Sequence, residues 1–235
     1  MSEEKNKTTR AAAVQINMNV VEELTSAITR RQITVDRFRF NLSLQDALNL
    51  LAAHYKVVVE RRLGKFILDE NTKDILLKLA TYLTNDKPKF GVMMCGTCGN
   101  GKTTLLYALQ SAINYLNYRN HFNFLSEYFN VGMEVLDVKD IIAIASDFEK
   151  LKALRLRSML AIDDLGKEPA ELLQYGNIKS PVVDLLEFRY AHQLFTCITT
   201  NLVGKEIREK YGERIADRFN EMLEVIVFQD ISYRH

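Results

Sequence analysis

Apolar positions change their spacing several times along the chain, and each change marks a boundary between predicted elements. Residues 1 to 10 are polar without periodicity and read as a loose tail. From Ala11 to Arg31, Val14, Met18, Val21, Leu24 and Ile28 recur at helical spacing and predict a helix. Arg37-Phe38-Arg39-Phe40 alternates strictly, as a strand does when one face is buried. The same interleaving of cations and aromatics could stack on and neutralise a nucleic-acid strand; the alternating strand is the preferred reading. Ser43, with Asp46 three residues on, resembles a capping box ahead of a stripe of Leu44, Leu48, Leu51, Ala52, Tyr55, Val58 and Val59. Gly64 ends that helix, Phe66-Ile67-Leu68 is a short extended piece, and Asn71 or Thr72 caps a helix running through Ile75, Leu76, Leu79 and Leu83.

Beyond the breaker Asn85-Asp86-Lys87-Pro88 the pattern changes character. Apolar runs near residues 90, 133, 158, 194 and 224 have strand length, and helical stripes separate them. Those helices cover 103 to 117 (Leu106, Leu109, Ile113, Leu116), 141 to 154 (Ile141, Ile142, Ala145, Phe148, Leu151, Leu154), a segment opened by Ser180-Pro181, and 213 to 222. Alternating strands and helices predict an α/β fold with a five-stranded parallel sheet that carries its chemistry at the strand ends. Residues 119 to 132, with Phe122, Phe124, Tyr128 and Phe129, fit either a helix extension or a loop. The expected organisation is a small, mainly helical module over residues 1 to 85, with a partner-binding role, and a nucleotide-binding domain over 86 to 235.

The densest chemistry lies between the first sheet strand and the next helix. Gly96-Thr97-Cys98-Gly99-Asn100-Gly101-Lys102-Thr103 has the G-x-x-x-x-G-K-[ST] spacing of a phosphate-binding loop, in the strand, loop, helix order that the motif needs. Its glycines let successive N–H groups point inward, and the following helix adds the partial positive charge of its N-terminus. Lys102 is expected to reach the β- and γ-phosphates, the Thr103 hydroxyl to ligate Mg²⁺, and the amides from Gly99 to Thr104 to hold phosphate oxygens. Cys95 and Cys98 form a C-x-x-C pair, but no second pair exists, so they read as small loop residues and not as a zinc or redox site.

Three further constellations follow. The apolar run Ser158 to Ile162 delivers Asp163 and Asp164; Asp163 is placed to position Mg²⁺ and Asp164 to orient an attacking water, against the plainer reading of a helix cap. Thr199-Thr200-Asn201 ends a strand in uncharged hydrogen-bonding groups that suit a γ-phosphate or a lytic water, against a turn cap at Asn201. Arg214 and Arg218 project together from one helix. They either pair locally with Asp217 and Glu221 or reach the γ-phosphate of a neighbouring subunit.

Composition narrows the class without naming a substrate. The chain has 235 residues, 47% hydrophobic and 26% charged, as an ordinary globular protein does. No apolar run approaches the roughly 18 residues of a membrane span, and the polar, acidic start does not resemble a signal peptide. Three cysteines without a framework suit a reducing compartment, so the expected location is cytoplasmic. The near-balance of 31 Lys plus Arg against 30 Asp plus Glu neither announces nor excludes nucleic acid.

Taken together, Gly96 to Thr103, Met159 to Asp164 followed by Leu165-Gly166, Thr199-Thr200-Asn201, Tyr211-Gly212-Glu213-Arg214 through Arg218, and Ser232-Tyr233-Arg234 resemble the DnaC/IstB-like branch of the AAA+ ATPases over residues 86 to 235. The resemblance implies an AAA+ core without a C-terminal helical lid, ATP and Mg²⁺ as ligands, and an ATP-dependent homo-oligomer. Its implied partners are DNA, preferentially single-stranded, and a replicative helicase or a transposase as client. By motif matching, Asn201 takes the sensor role and Arg218 the finger role, with Arg214 and Arg234 as further candidates. Two other functions are weighed against this ATPase: an ATP-dependent protein-binding switch with negligible hydrolysis, and a small-molecule P-loop kinase. The kinase ranks last because it leaves Asn201 and Arg218 without work.

Overall fold

Five apolar runs form the strands of one sheet. They are β1 (Gly91–Cys95), β2 (Glu134–Asp137), β3 (Met159–Leu165), β6 (Phe195–Thr200) and β7 (Leu223–Val227), in the order β2-β3-β6-β1-β7. Every neighbouring pair is parallel. A parallel sheet must be covered on both faces, and its strands read as continuous apolar runs for that reason. The computed structural model describes residues 17–31, 37–62, 64–118, 132–169, 172–174 and 177–228. Among them, no helix is long and apolar enough to cross a membrane.

The helices are α1 (Met18–Arg31), α2 (Leu44–Arg61), α3 (Glu70–Leu83), α4 (Lys102–Tyr118), α5 (Val138–Ile144), α6 (Phe148–Arg155), α7 (Pro181–Ala191), α8 (Gly204–Tyr211) and α9 (Glu213–Met222). Side chains alternate across β1. Val92 and Met94 join a core with Leu51, Leu76, Leu79, Leu105 and Leu109 from α2, α3 and α4. Met93 faces a second core with Leu185, Leu186, Phe219 and Met222 from α7 and α9.

Packing divides the chain into two units, residues 1–36 and 37–235. In the first, α1 is amphipathic, with Asn17 Oδ1 accepting from Asn19 N at its start, and it exposes Met18, Val21 and Leu24. Residues 37–85, expected to belong to a separate N-terminal module, instead share the core of the sheet. Phe38 and Phe40 are buried there together with Leu51 and Leu79. The alternation of residues 37–40 therefore does point aromatics in and arginines out, but the segment pairs with no strand. Phe40 N donates to Leu83 O, Arg37 Nη1 to Pro88 O, and Arg39 meets Asp86 at 2.5 Å. Buried aromatics leave nothing on which a base could stack, which removes the nucleic-acid reading of this stretch.

Local signals explain most boundaries. Ser43 caps α2, its Oγ accepting from Asp46 N at 3.1 Å. For α3 the cap is Asp69, which accepts from Thr72 N at 2.7 Å, and not Asn71 or Thr72 as expected. The single helix expected over 141 to 154 is two, because Asp147 caps a fresh start at Phe148. An antiparallel hairpin, β4 (Leu172–Gln174) with β5 (Asn177–Lys179), and α8 were not expected from the sequence. Of the stretch 119 to 132, read as either helix or loop, residues 119 to 131 lie outside the described residues, and so does the Ser232-Tyr233-Arg234 motif.

Between α2 and α4, His54 Nδ1 lies 2.8 Å from Ser111 Oγ, and burial pulls the imidazole below its ordinary pKa of 6.5. The unfolded chain then holds this proton more tightly than the folded one, so stability is lost as pH falls below 6.5 towards the lowered native value. Thermal midpoints measured between pH 7.5 and 5.5 should decline in the native chain and decline less in His54→Gln; an equal decline in both would show that this imidazole contributes nothing.

Candidate nucleotide-binding site

The adjacency of β3, β6 and β1 brings three loops together at the C-terminal ends of the strands. Ligands bind at such rims in open α/β sheets. The loop between β1 and α4 contributes Lys102 and Thr103, the end of β3 contributes Asp163 and Asp164, and β6 leads into Asn201. A cleft of about 730 Å³ opens there, lined by Cys98 to Thr104, Asp164, Lys167 and Asn201 on the sheet side. Across from them stand Tyr55, Arg62, Lys65 and Ile67.

The loop needs its glycines. Gly96 has φ +145° and Gly101 φ +93°, a left-handed backbone that other residues avoid. A Cβ would fall 2.6 Å from Phe228 O at the first and 2.7 Å from Tyr55 Oη at the second. Lys102 is buried and donates to Gly96 O and Thr97 O, both at 2.7 Å, and to Asn100 Oδ1 at 3.0 Å. Burial lowers its pKa, with the thiols of Cys98 and Cys95 and the carboxylates of Asp164 and Asp163 pulling the other way. The ammonium is thus held at the mouth of the loop by neutral acceptors that an anion can replace. Asn100 Nδ2 is buried without a hydrogen-bond partner among the described residues, so the loop keeps a donor unspent there.

Thr103 and Asp163 meet as expected. Thr103 Oγ1 donates to Asp163 Oδ1 at 3.0 Å, which places a hydroxyl and a carboxylate side by side at the start of α4. Hard oxygen ligands of this kind suit Mg²⁺, so these residues fit the ion that the fold family implies. A register irregularity in β3 between Ile162 and Leu165 turns the second carboxylate towards the cleft. Asp164 adopts φ +60°, and its N–H donates to Thr199 Oγ1 at 2.9 Å. Its Oδ2 meets Lys167 Nζ at 2.5 Å.

Two expected hydroxyls are spent elsewhere. Thr199 is fully buried and donates to Asp163 Oδ1, while Thr200 donates to Leu165 O at 2.7 Å. They lock β6 to β3 and do not face the cleft; Asn201, exposed, is the group from this motif that does. The arginines also differ from expectation. Arg218 Nη1 lies 2.8 Å from Glu187 Oε1 and its guanidinium stacks on Tyr190 at 4.8 Å. Arg214 reaches the same carboxylate at 3.1 Å. Glu221, expected to pair with Arg218, instead accepts from Tyr190 Oη. Arg218 Nη1 is close enough for an ion pair but is not aligned for a hydrogen bond, and this buried nitrogen stays unsatisfied. Arg214, with 71% of its side chain exposed against 20% for Arg218, is the more accessible of the two.

No family model matches this chain, and no curated protein matches it either. Solved structures do. The DnaC helicase loader superposes with a TM-score of 0.53 at 22% identity, over 70% of this chain and 94% of that one. DnaI superposes at 0.51 and 22% identity, over 72% and 88%. A Streptococcus pyogenes serotype M3 protein described as a primosome component gives 0.51 at 17% identity, over 79% and 98%. The fold is that of the DnaC/IstB-like AAA+ proteins. Within this AAA+ fold, the cleft residues that the sequence motifs missed include Lys167 and, from α2 and the segment after it, Tyr55, Arg62 and Lys65. Arg62 donates to Thr104 Oγ1 at 3.3 Å, which ties α2 to the first turn after the phosphate loop. Nothing in their spacing distinguishes them from an ordinary amphipathic helix end.

Proposed function

We propose that this chain is an ATP-hydrolysing AAA+ protein that assembles on DNA, of the helicase-loader or transposition-helper type. The observation that carries the proposal is the meeting of Thr103 and Asp163 beside a phosphate loop whose ammonium is held by exchangeable acceptors. In this reading Lys102 and the amides from Gly99 to Thr104 bind the triphosphate, and Thr103 with Asp163 holds Mg²⁺, which neutralises charge on the β- and γ-phosphates. Asp164 orients the attacking water and Asn201 hydrogen-bonds the γ-phosphate. Arg218, aided by Arg214, stabilises charge on the γ-phosphate of a neighbouring subunit, and the chain before residue 86 contacts the client, a replicative helicase or a transposase. Single-stranded DNA is the polynucleotide, and the compartment is the cytoplasm.

A second reading, an ATP-dependent protein-binding switch with negligible hydrolysis, is favoured by one contact: Arg218 pairs with Glu187 of its own protomer. To act in trans it must leave that carboxylate. Its Nη1 makes no aligned hydrogen bond to the carboxylate or to any other described residue, so leaving Glu187 gives up an ion pair but no hydrogen bond.

The separating experiment measures phosphate release with and without single- and double-stranded DNA, alongside oligomer mass with ATP. The ATPase reading expects DNA-stimulated turnover by an oligomer. Arg218→Ala should keep ATP affinity and lose at least tenfold in that turnover. Mixing it with Lys102→Ala subunits, which retain Arg218 and are first shown by mass to enter the oligomer, should restore part of the activity. ATP-dependent assembly without turnover would transfer the conclusion to the switch, and absence of rescue on mixing would remove the finger acting in trans.

A further inference from the structure

Lys167 stands in the cleft beside Asp164, and no motif in the sequence pointed to it. Its Nζ lies 2.5 Å from Asp164 Oδ2, a pair three residues apart. Most such pairs on exposed helices are weak and change partners freely. This one is built differently, because both of its backbones are fixed by buried groups.

On the side of Asp164, the amide is held by Thr199 Oγ1, and Thr199 in turn donates to Asp163. On the side of Lys167, the residue before and the residue after it are both pinned. Gly166 N donates to Glu168 Oε2 at 2.9 Å, and Glu168 is buried. Lys210 Nζ donates to Gly166 O at 2.7 Å and to Glu168 O at 2.5 Å. Tyr211 Oη donates to the other oxygen of Glu168, and burial followed by that contact pushes its phenol pKa far upward. Lys167 N also donates to Asp164 O at 3.2 Å. The backbone that carries the ammonium is therefore fixed within reach of Asp164, and the Lys167 pKa is raised, first by the hydrogen bond to Asp164.

The carboxylate it holds has a particular need for holding. An aspartate reaches one methylene less far than a glutamate, and Asp164 projects from a backbone at φ +60°. Small rotations of so short a side chain move its oxygens through a large part of the space open to a water molecule, and about 1 Å of misplacement costs about a hundredfold in rate. We infer that Lys167 is a positioning residue for Asp164, fixing which carboxylate oxygen faces the attacking water in ATP hydrolysis. The inference rests on the reading of Asp164 given under the proposed function.

A double-mutant cycle tests it on the full-length protein with ATP, Mg²⁺ and DNA. Lys167→Met should lower kcat by about tenfold or more while the ATP dissociation constant stays within about twofold, and Lys167→Arg, which keeps a cation at that distance, should recover most of the rate. In an Asp164→Asn background the Lys167→Met change should have no further effect, since there is no longer a carboxylate to orient. Three results overturn the inference: an unchanged kcat in Lys167→Met, a loss of ATP affinity that accounts for the whole defect, or a full additional loss in the Asp164→Asn background. If instead Asp164→Asn hydrolyses ATP at the native rate, the reading of Asp164 itself fails, and that outcome is seen without reference to Lys167. Thermal midpoints measured on each variant separate a rate effect from a folding effect.

Discussion

Lys102→Ala is expected to weaken ATP binding by about a hundredfold or more with little change in thermal stability. A hydrogen bond from a charged donor is worth about 1.5–3 kcal/mol, and two phosphate contacts at that value correspond to about 10² to 10⁴ in affinity. The lower end applies here. Lys102 does not wait in water but already donates to Gly96 O, Thr97 O and Asn100 Oδ1, and those bonds are given up when phosphate oxygens replace them. The same contacts explain the small stability effect. The acceptors belong to a loop of which Cys98 to Thr104 lines an open cleft, so water entering the space that the ammonium leaves can satisfy them. Titration of the variant with ATP, followed by calorimetry, checks this directly. Affinity within a few fold of the native protein would remove the phosphate-loop assignment.

Arg189→Leu is expected to do the reverse, lowering the thermal midpoint by about 10 °C while the folded fraction keeps its ATP affinity. Arg189 is fully buried and, among the described residues, has no carboxylate as a hydrogen-bond partner. Its Nε donates to Thr196 Oγ1 at 2.9 Å, Nη1 to Arg157 O at 2.8 Å and Nη2 to Phe195 O at 2.5 Å. Burial alone pulls its pKa down to about 9, so the site is costly for a cation. Leucine relieves that cost but orphans three acceptors at once, and the second effect is the larger. Each buried acceptor left without its donor costs about 1–3 kcal/mol, and in a chain of this size each kcal/mol moves the midpoint by about 2–4 °C. The partners all lie where β3 and β6 begin, at the opposite end of the strands from Asp163 and Asn201. A midpoint within 2 °C of native, measured by calorimetry, would show that the network contributes little.

The parallel sheet was legible because each strand is buried on both faces and so reads as an unbroken apolar run. The phosphate loop was legible because its glycines serve a backbone geometry that other residues resist, as at Gly96 and Gly101. Thr103 and Asp163 could be paired in advance because strand ends and helix starts converge in such folds. Polar groups with two available uses were harder to read. The Thr199 and Thr200 hydroxyls could have faced the cleft or the neighbouring strand, and β3 supplied the acceptors that took them inward. Arg214 and Arg218 had acidic neighbours on their own helix, yet Glu187 on α7, 27 residues before Arg214 in the chain, captured both. Tyr55 and Arg62 have no local signature, since tertiary packing alone brings them to the site, whereas Lys167 follows Asp164 by only three residues but belongs to no motif. The boundary expected at residue 85 followed a real breaker, but Phe38, Phe40 and Leu51 found their apolar partners across it.

Gly212 joins α8 to α9 at φ +83°, a conformation that lets the chain change direction within a single residue. Immediately before it, Lys210 and Tyr211 grip the turn that carries Lys167; shortly after it come Arg214 and Arg218. In the proposed function, the segment beside the γ-phosphate and the segment that meets an adjacent copy are thus mounted on either arm of one crank. A side chain at 212 would meet no neighbouring atom among the described residues but would be strained at that φ, so its cost would fall on the joint itself and not on either arm.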